Sequence, residues 1–497
     1  MVQPLNGTSF LRRPRQARRR ARFGYDAFVR SAGNSQFFLT LWCSNLYSFD
    51  LDLAYAAVTS LAHEDSLSSQ VRVLVDRRGR GVQRIAVRRP YLFDRPSTLM
   101  LECQTAFVDH ECSHNALHSQ IATLRDLAFF REWSLLRAER NASWAPPERR
   151  AVRGERAFTE AEVLDLSRWC QLDADSIASA RRLESRSTPV IAAPKGKTVD
   201  TSTTNRRLRT IKHYLKWLTL MASTGINSSD AALTSEAFCH HLDVAFENHI
   251  KDTKKTGTPK SLEHEERKTL RTLVGKDNEE VYDASAHGTR DKLIVRLLLE
   301  GLRAGELLKA TTQDVDDNFE IRLGKRIAVI HVERRPNDPD DERTVEPAVK
   351  TLPGTLAIGR RLAADLVNYV REERRFAVNR RSDGRETHQL FVCHSGPNIG
   401  RAISQRNLNR IVARLKGRSG LPDSLSPHTL RHTHMTEIEE VAASKGKTPA
   451  DIRSVLLDRG RWSPKSTMPE LYTQRATMES SADLIERRDE LLEKGHP

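Results

Sequence analysis

His428 and Arg431 stand three residues apart in Ser426-Pro427-His428-Thr429-Leu430-Arg431-His432-Thr433-His434. On a helix, residues at that spacing share a face. The preceding Ser-Pro suits a helix start, where proline sacrifices no needed donor. A histidine beside an arginine can grip one anion. Tyr472 follows later, in a polar stretch expected to bury little. The grouping fits a phosphodiester held by cations and attacked by the phenol. Upstream, an apolar run Leu293-Ile294-Val295-Arg296-Leu297-Leu298-Leu299 leads into Gly301-Leu302-Arg303-Ala304-Gly305-Glu306-Leu307-Leu308.

Attack on a phosphodiester makes three demands. Charge builds on the nonbridging oxygens in the transition state and needs cations. Arg303 and Arg431 fit, because a guanidinium is always charged and donates in a fork. The nucleophile must lose its proton and later regain it. A free phenol has a pKa of about 10, so Tyr472 needs positive neighbours or a base. His428 is the candidate base or oxyanion donor. The leaving 5′-oxygen must gain a proton. Two arginines can replace a cation's role, so chemistry without metal or other cofactor is expected. Cys103, His110, Cys112, His114 and His118 cluster in sequence, but their spacing matches no common zinc pattern.

In content and order these segments resemble the tyrosine recombinases, the phage integrase family. That family shows Gly-Leu-Arg-x-x-Glu-Leu, a lysine in a β-hairpin, His-x-x-Arg and a late tyrosine. The resemblance covers residues 260 to 475. It implies that Tyr472 forms a 3′-phosphotyrosyl bond and releases a 5′-hydroxyl. Lys350 resembles the general acid, with Lys325 as its rival. Glu306 would orient Arg303, and His432 resembles a frequent supporting position. The family's usual Gly-His or Gly-Trp is here Gly460-Arg461-Trp462, with Tyr472 eleven residues after Arg461 and ten after Trp462. Arg461 is expected as a third cation in the place of that histidine. The alternative is Trp462 as an indole donor. The extra length near Met468-Pro469 suggests a small insertion before the tyrosine.

These residues need elements to position them. A chain of 497 residues is expected to form two or three domains. Lys and Arg number 80 against 65 Asp and Glu, a net charge of +15 that favours a polyanionic partner. No run of about 20 apolar residues suggests a membrane span. Six scattered cysteines and no signal-peptide core suit a reducing cytoplasm. Seven arginines between Arg12 and Arg22 mark residues 1 to 31 as a basic arm. Residues 32 to 114 form an extension without an evident role, containing a predicted hairpin at 70 to 90 that turns at Gly79 and Gly81.

Residues 115 to 250 read as helical. Leu208, Ile211, Leu215 and Leu218 point inward on a helix whose other face carries Arg206, Arg207, Arg209, Lys212, His213 and Lys216. The resemblance implies that this domain clamps DNA through such a face. Ser185 to Thr204 reads as an internal loop, and residues 251 to 260 as a polar linker. Residues 261 to 475 are expected to form a catalytic domain, and 476 to 497 a tail helix. Within the catalytic domain Arg326 to Glu333 alternates as a strand. An acidic loop follows, then a hairpin of Pro347–Thr351 with Gly354–Ile358 that presents Lys350. The expected fold is mainly α with a small β-sheet in the catalytic domain, an α+β class. The resemblance implies a site-specific recombinase that integrates or excises a mobile element. It would work on double-stranded DNA as a homotetramer at a bacterial nucleoid. A type IB topoisomerase-like enzyme shares the chemistry, and a catalytically decayed DNA-binding relic would share the binding.

Overall fold

The computed structural model describes residues 69–493 except 79–84, 96–98, 142, 153–154, 156–157, 178–195, 224–228, 253–260, 276, 323–324 and 419. The basic arm, residues 32–68, the Gly79 and Gly81 turn, the front of the Ser185–Thr204 loop and most of the 251–260 linker lie outside the described residues. The fold is α+β, mainly helical, with a two-stranded and a three-stranded sheet. Two compact units divide it. One is Met1–Asp76 with Arg88–Lys254, and the other is Arg77–Val87 with Lys255–Pro497.

β1 (Ser69–Arg78) pairs with β2 (Ile85–Asp94), burying Val71 and Val73 on the alternation the sequence predicts. Among the described residues of the first unit, the core helices include α1 (Glu102–Glu111), α2 (Leu117–Arg140), α3 (Pro147–Val152), α4 (Glu160–Cys170) and α5 (Thr201–Ser223). A further helix, α6 (Ser229–Glu247), packs on α5. Leu208, Ile211, Leu215 and Leu218 of α5 are all buried, against a core that includes Leu124, Phe130 and Trp133. Asn205 fastens the end of this unit, exchanging two hydrogen bonds with the backbone of Lys251.

The basic face of α5 departs from expectation. Arg206 forks onto Asp126 of α2 at 2.9 and 3.0 Å. Arg207 is buried and donates to the carbonyls of Cys170 and Leu172. Lys212 and Lys216 both pair with Asp243 of α6, and His213 meets Glu111 of α1. Of the six, Arg209 alone is exposed and forms no ion pair among the described residues. Most of the charge that looked available for DNA is neutralised inside the unit.

The second unit opens with α7 (His264–Leu273), α8 (Ala286–Leu299) and α9 (Ala304–Lys309). A sheet follows, of β3 (Val315–Arg322), β4 (Lys325–Val332) and β5 (Gly354–Ile358). Beyond it come α10 (Arg360–Tyr369), α11 (Arg375–Asn379), α12 (Gln405–Ala413), α13 (Pro427–Ser444), α14 (Pro449–Gly460) and α15 (Glu470–Glu493). The apolar run of α8 is buried on nearly every side, which explains its lack of helical periodicity. Leu297, Leu298, Leu307, Ile330, Leu356 and Leu366 share one core.

The expected hairpin of Pro347–Thr351 with Gly354–Ile358 does not form. β5 pairs antiparallel with β4 instead, Leu356 opposite Ile330 and Ile358 opposite Ala328. Residues 347–352 run as coil between Pro347 and Pro353, which lack the N–H donors a ladder uses. The acidic loop before them is nailed down by Lys309, whose buried ammonium donates to Arg335 O at 2.9 Å and also bonds Glu346. Arg343 forks onto Asp341 in the same loop.

Candidate active site

Arg303 caps the N-terminus of α9. The chain turns there between two helices, so the side chain leaves the end of the apolar α8 instead of lying along it. Glu306, one turn on, is buried and takes the Arg303 N–H at 2.8 Å, the Thr351 hydroxyl at 2.6 Å and the Arg461 guanidinium. Arg303 Nη1 lies 3.4 Å from Glu306 and 3.4 Å from Gly460 O. Burial pushes the Glu306 carboxyl pKa up, but Arg461, Arg431 and the hydrogen bonds outweigh it and hold it below the ordinary value.

Ser426 starts α13, accepting from the Thr429 N–H, with Pro427 in the first turn as the sequence suggests. Arg431 is 2% exposed and donates to two carbonyls, Gly301 O and, at 2.8 Å, Gly460 O. Gly460 O therefore receives both arginines. Burial, then the charge of Arg303, lowers the Arg431 pKa to about 9.

Tyr472 sits in the first turn of α15 but is 3% exposed, contrary to the expectation of a tyrosine on a stretch that buries little. It packs with Met435, Ala442, Ile452 and Leu456 beneath it and Trp462 stacked at 6.0 Å between centroids. Its hydroxyl lies 2.6 Å from His432 Nδ1. The other nitrogen of His432 lies 2.8 Å from Nε2 of His428, one helical turn before it. Burial raises the Tyr472 pKa to about 12, against the opposing pull of Arg431 and Arg303. Burial, His428 and the two arginines lower His432 to about 4, and burial with the same arginines lowers His428.

The expectation that Arg461 adds a third free cation is not met. Arg461 ends α14 in the left-handed region, at φ 50° and ψ 43°, and its side chain turns inward to Glu306. Its guanidinium is thus committed to a carboxylate. Trp462 follows, with its ring beneath the guanidinia of Arg431 at 5.5 Å and Arg303 at 6.0 Å. The Trp462 indole Nε1 is buried without a hydrogen-bond partner. A Cβ on Gly460 would come within 2.4 Å of that ring, so only glycine lets the tryptophan fold back.

Lys350 is exposed in the coil before β5. Its neighbours hold that coil to the site: Thr351 donates to Glu306, and Leu352 N–H donates to Arg461 O at 3.0 Å. A Cβ on Gly305 would lie 2.2 Å from Ala348 O, so glycine at this variable position of the motif admits the coil that carries Lys350. Lys325 opens β4, opposite Arg322 in the ladder. His434 faces Arg459 at 2.9 Å, away from the tyrosine. One fold region therefore gathers Arg303, His428, Arg431, Arg461 and Tyr472. Thr351, the contact of His432 with the tyrosine and the central part played by Glu306 emerge from the tertiary contacts, although His432 and Glu306 were both named from the sequence.

No family model matches the chain. Over 243 residues, 48% of its length, it is 25% identical to transposase A from transposon Tn554 of Staphylococcus aureus. It spans 58% of the length of that relative, and two further Staphylococcus aureus sequences of the same transposase match equally. Among solved structures, the XerH site-specific recombinase bound to its difH substrate in a pre-cleavage complex shows 14% identity and a TM-score of 0.32. That match covers 65% of this chain and 84% of the other. The chain resembles the tyrosine recombinases in motif content and motif order.

Proposed function

We propose that the chain is a site-specific DNA recombinase that cuts and rejoins strands through a 3′-phosphotyrosyl bond to Tyr472, in the integration or excision of a mobile element. One observation carries the reading: two arginines from separate motifs meet at Gly460 O and share the Trp462 ring with a buried tyrosine, whose hydroxyl meets a histidine pair. Arg303 and Arg431 hold the nonbridging oxygens, where charge develops. Tyr472 attacks phosphorus, the bond to O5′ breaks, and Lys350 gives O5′ its proton. The 5′-hydroxyl of a partner duplex reverses these steps, conserving bond energy without ATP.

Trp462 supplies a further donor to the phosphate in preference to Arg461. An unpaired buried N–H costs about 1–3 kcal/mol, and an entering phosphate oxygen would satisfy it. The likeness to a transposase supports the mobile-element role. Arg406 and Arg410, exposed on α12 and without an ion pair among the described residues, supply a basic surface for the duplex. On α15, Leu484 and Ile485 are exposed, which suits docking of the tail on a neighbouring subunit in a tetramer. No described helix is long and apolar enough to cross a membrane, and the proposed location is the cytoplasm, on the nucleoid.

The test is incubation of the full chain with duplex from the ends of its element. A DNA-linked species that survives denaturant, present with the native chain and absent with Tyr472→Phe, supports the reading. Sequence-specific binding with no such species would mean a binding relic, and relaxation of supercoils by a monomer on any sequence would mean a topoisomerase.

A further inference from the structure

The Tyr472 hydroxyl bonds His432, not the histidine that the motif pattern singles out, among the described residues. His432 stands between them, with Nδ1 on the phenol at 2.6 Å and Nε2 on His428 Nε2 at 2.8 Å. A neutral imidazole carries one ring proton, so each end of His432 constrains the other. The Tyr472 hydroxyl is buried, and His432 is its hydrogen-bond partner among the described residues. A buried hydroxyl proton must be donated somewhere. It is donated to Nδ1, which leaves the His432 proton on Nε2, directed at His428. His428 then accepts on Nε2 and keeps its own proton on Nδ1. The three groups form a wire with one direction, from a buried phenol to an exposed histidine.

We propose that His432 is a catalytic residue that takes the Tyr472 proton on Nδ1 during attack and passes its Nε2 proton to His428. The inference rests on the reading of Tyr472 as nucleophile. In the step, the Tyr472 oxygen to phosphorus bond forms and the phosphorus to O5′ bond breaks. The phenol proton enters His432, the His432 proton enters His428, and O5′ takes a proton from Lys350. His428 ends as a cation while charge on the phosphate oxygens is greatest, joining Arg303 and Arg431. Rejoining sends the proton back along the same path, so tyrosine leaves as a neutral phenol. Burial keeps the phenol protonated, with a pKa pushed up to about 12, so it needs a base. Burial, His428 and the arginines lower the His432 pKa to about 4, so it rests neutral with Nδ1 free to accept the phenol hydrogen bond, and an entering phosphate, by offsetting the arginine charge, raises its basicity during attack. A fully formed phenolate would be costly there, so transfer accompanies attack.

Two measurements test the wire. The first is nitrogen NMR of the full chain labelled with 15N-histidine, assigned through His428→Gln and His432→Gln. At neutral pH His432 should carry its proton on Nε2 and His428 on Nδ1. A proton on His432 Nδ1 would overturn the inference. The second uses a duplex selected by the full chain from a randomised pool, with sulfur replacing the 5′-bridging oxygen at the mapped cleavage position. A thiolate leaves without being protonated, so Lys350→Ala should recover near-native adduct formation on this DNA. His432→Asn should stay about 100-fold slow or worse on both DNAs, the usual worth of a positioned base. Native rates for His432→Asn would sink the wire while leaving Tyr472 as nucleophile. No adduct from the native chain on DNA it binds would sink the nucleophile reading itself, and the wire with it.

Discussion

Replacing Glu306 by glutamine tests how the site is held together. The carboxylate is fully buried between Arg461, whose side chain is 4% exposed, and Arg303. Glutamine keeps one oxygen, so it can accept from the Thr351 hydroxyl, now on Oε1, or from the Arg303 N–H, now on Oε2, but not from both, and it loses the charge. Arg461 would then be a buried cation whose remaining contact, to Arg459 O, is 3.4 Å long. Breaking a buried pair by removing one partner costs about 3–5 kcal/mol. Urea unfolding at neutral pH should show a loss of that size. Arg303 would also lose its anchor, and a group misplaced by about 1 Å costs on the order of 100-fold in rate. Cleavage should fall by that factor, with DNA affinity nearly unchanged. The pH dependence fixes the sign. The Glu306 pKa is lowered in the fold, because Arg461 and Arg431 outweigh the upward push of burial. Its stabilisation is therefore complete above the unfolded value of about 4.3 and disappears as pH falls through the folded value. The gap between native chain and variant should close as the medium is acidified below about pH 4. A loss under about 1 kcal/mol, typical of a surface pair, or a gap that acid leaves unchanged, would refute this account.

Gly460→Ala forces the Trp462 ring off Gly460 and should cost about 1–3 kcal/mol by overpacking; cleavage should fall more than DNA binding, and a native cleavage rate would show that the ring position does not matter. Arg406→Ala and Arg410→Ala should each weaken DNA binding and reduce the salt slope by about one, with thermal unfolding unchanged; titration at several salt concentrations checks this, and an unaltered slope would remove α12 from the interface.

The sequence was most legible where chemistry and local geometry coincide. Ser426-Pro427 starts a helix that carries His428 and Arg431, whereas the tail helix expected from residue 476 begins at Glu470 and holds Tyr472 in its first turn. What stayed hidden depends on partners far along the chain. The basic face of α5 looks open because Asp126 and Asp243, which neutralise it, belong to other helices. Arg461 looks like a replacement histidine until its left-handed backbone turns it to Glu306. The stretch around Lys350 resembles a strand by residue type, but its donors and acceptors are taken by Glu306, Arg461 and Arg334. The His428–His432 spacing of one helical turn was visible, yet the contact of His432 with the tyrosine requires α15 to fold over α13.

The central claim is that Tyr472 is the nucleophile. Its most direct measurement is to trap the full chain on nicked duplex from its element's ends, digest the adduct and identify the nucleotide-bearing peptide by mass spectrometry. The account predicts a single modified peptide, with the 3′-phosphate of DNA on the Tyr472 oxygen and a free 5′-hydroxyl on the released strand. Attachment at another residue, or a 5′-phosphate on the protein, would contradict it.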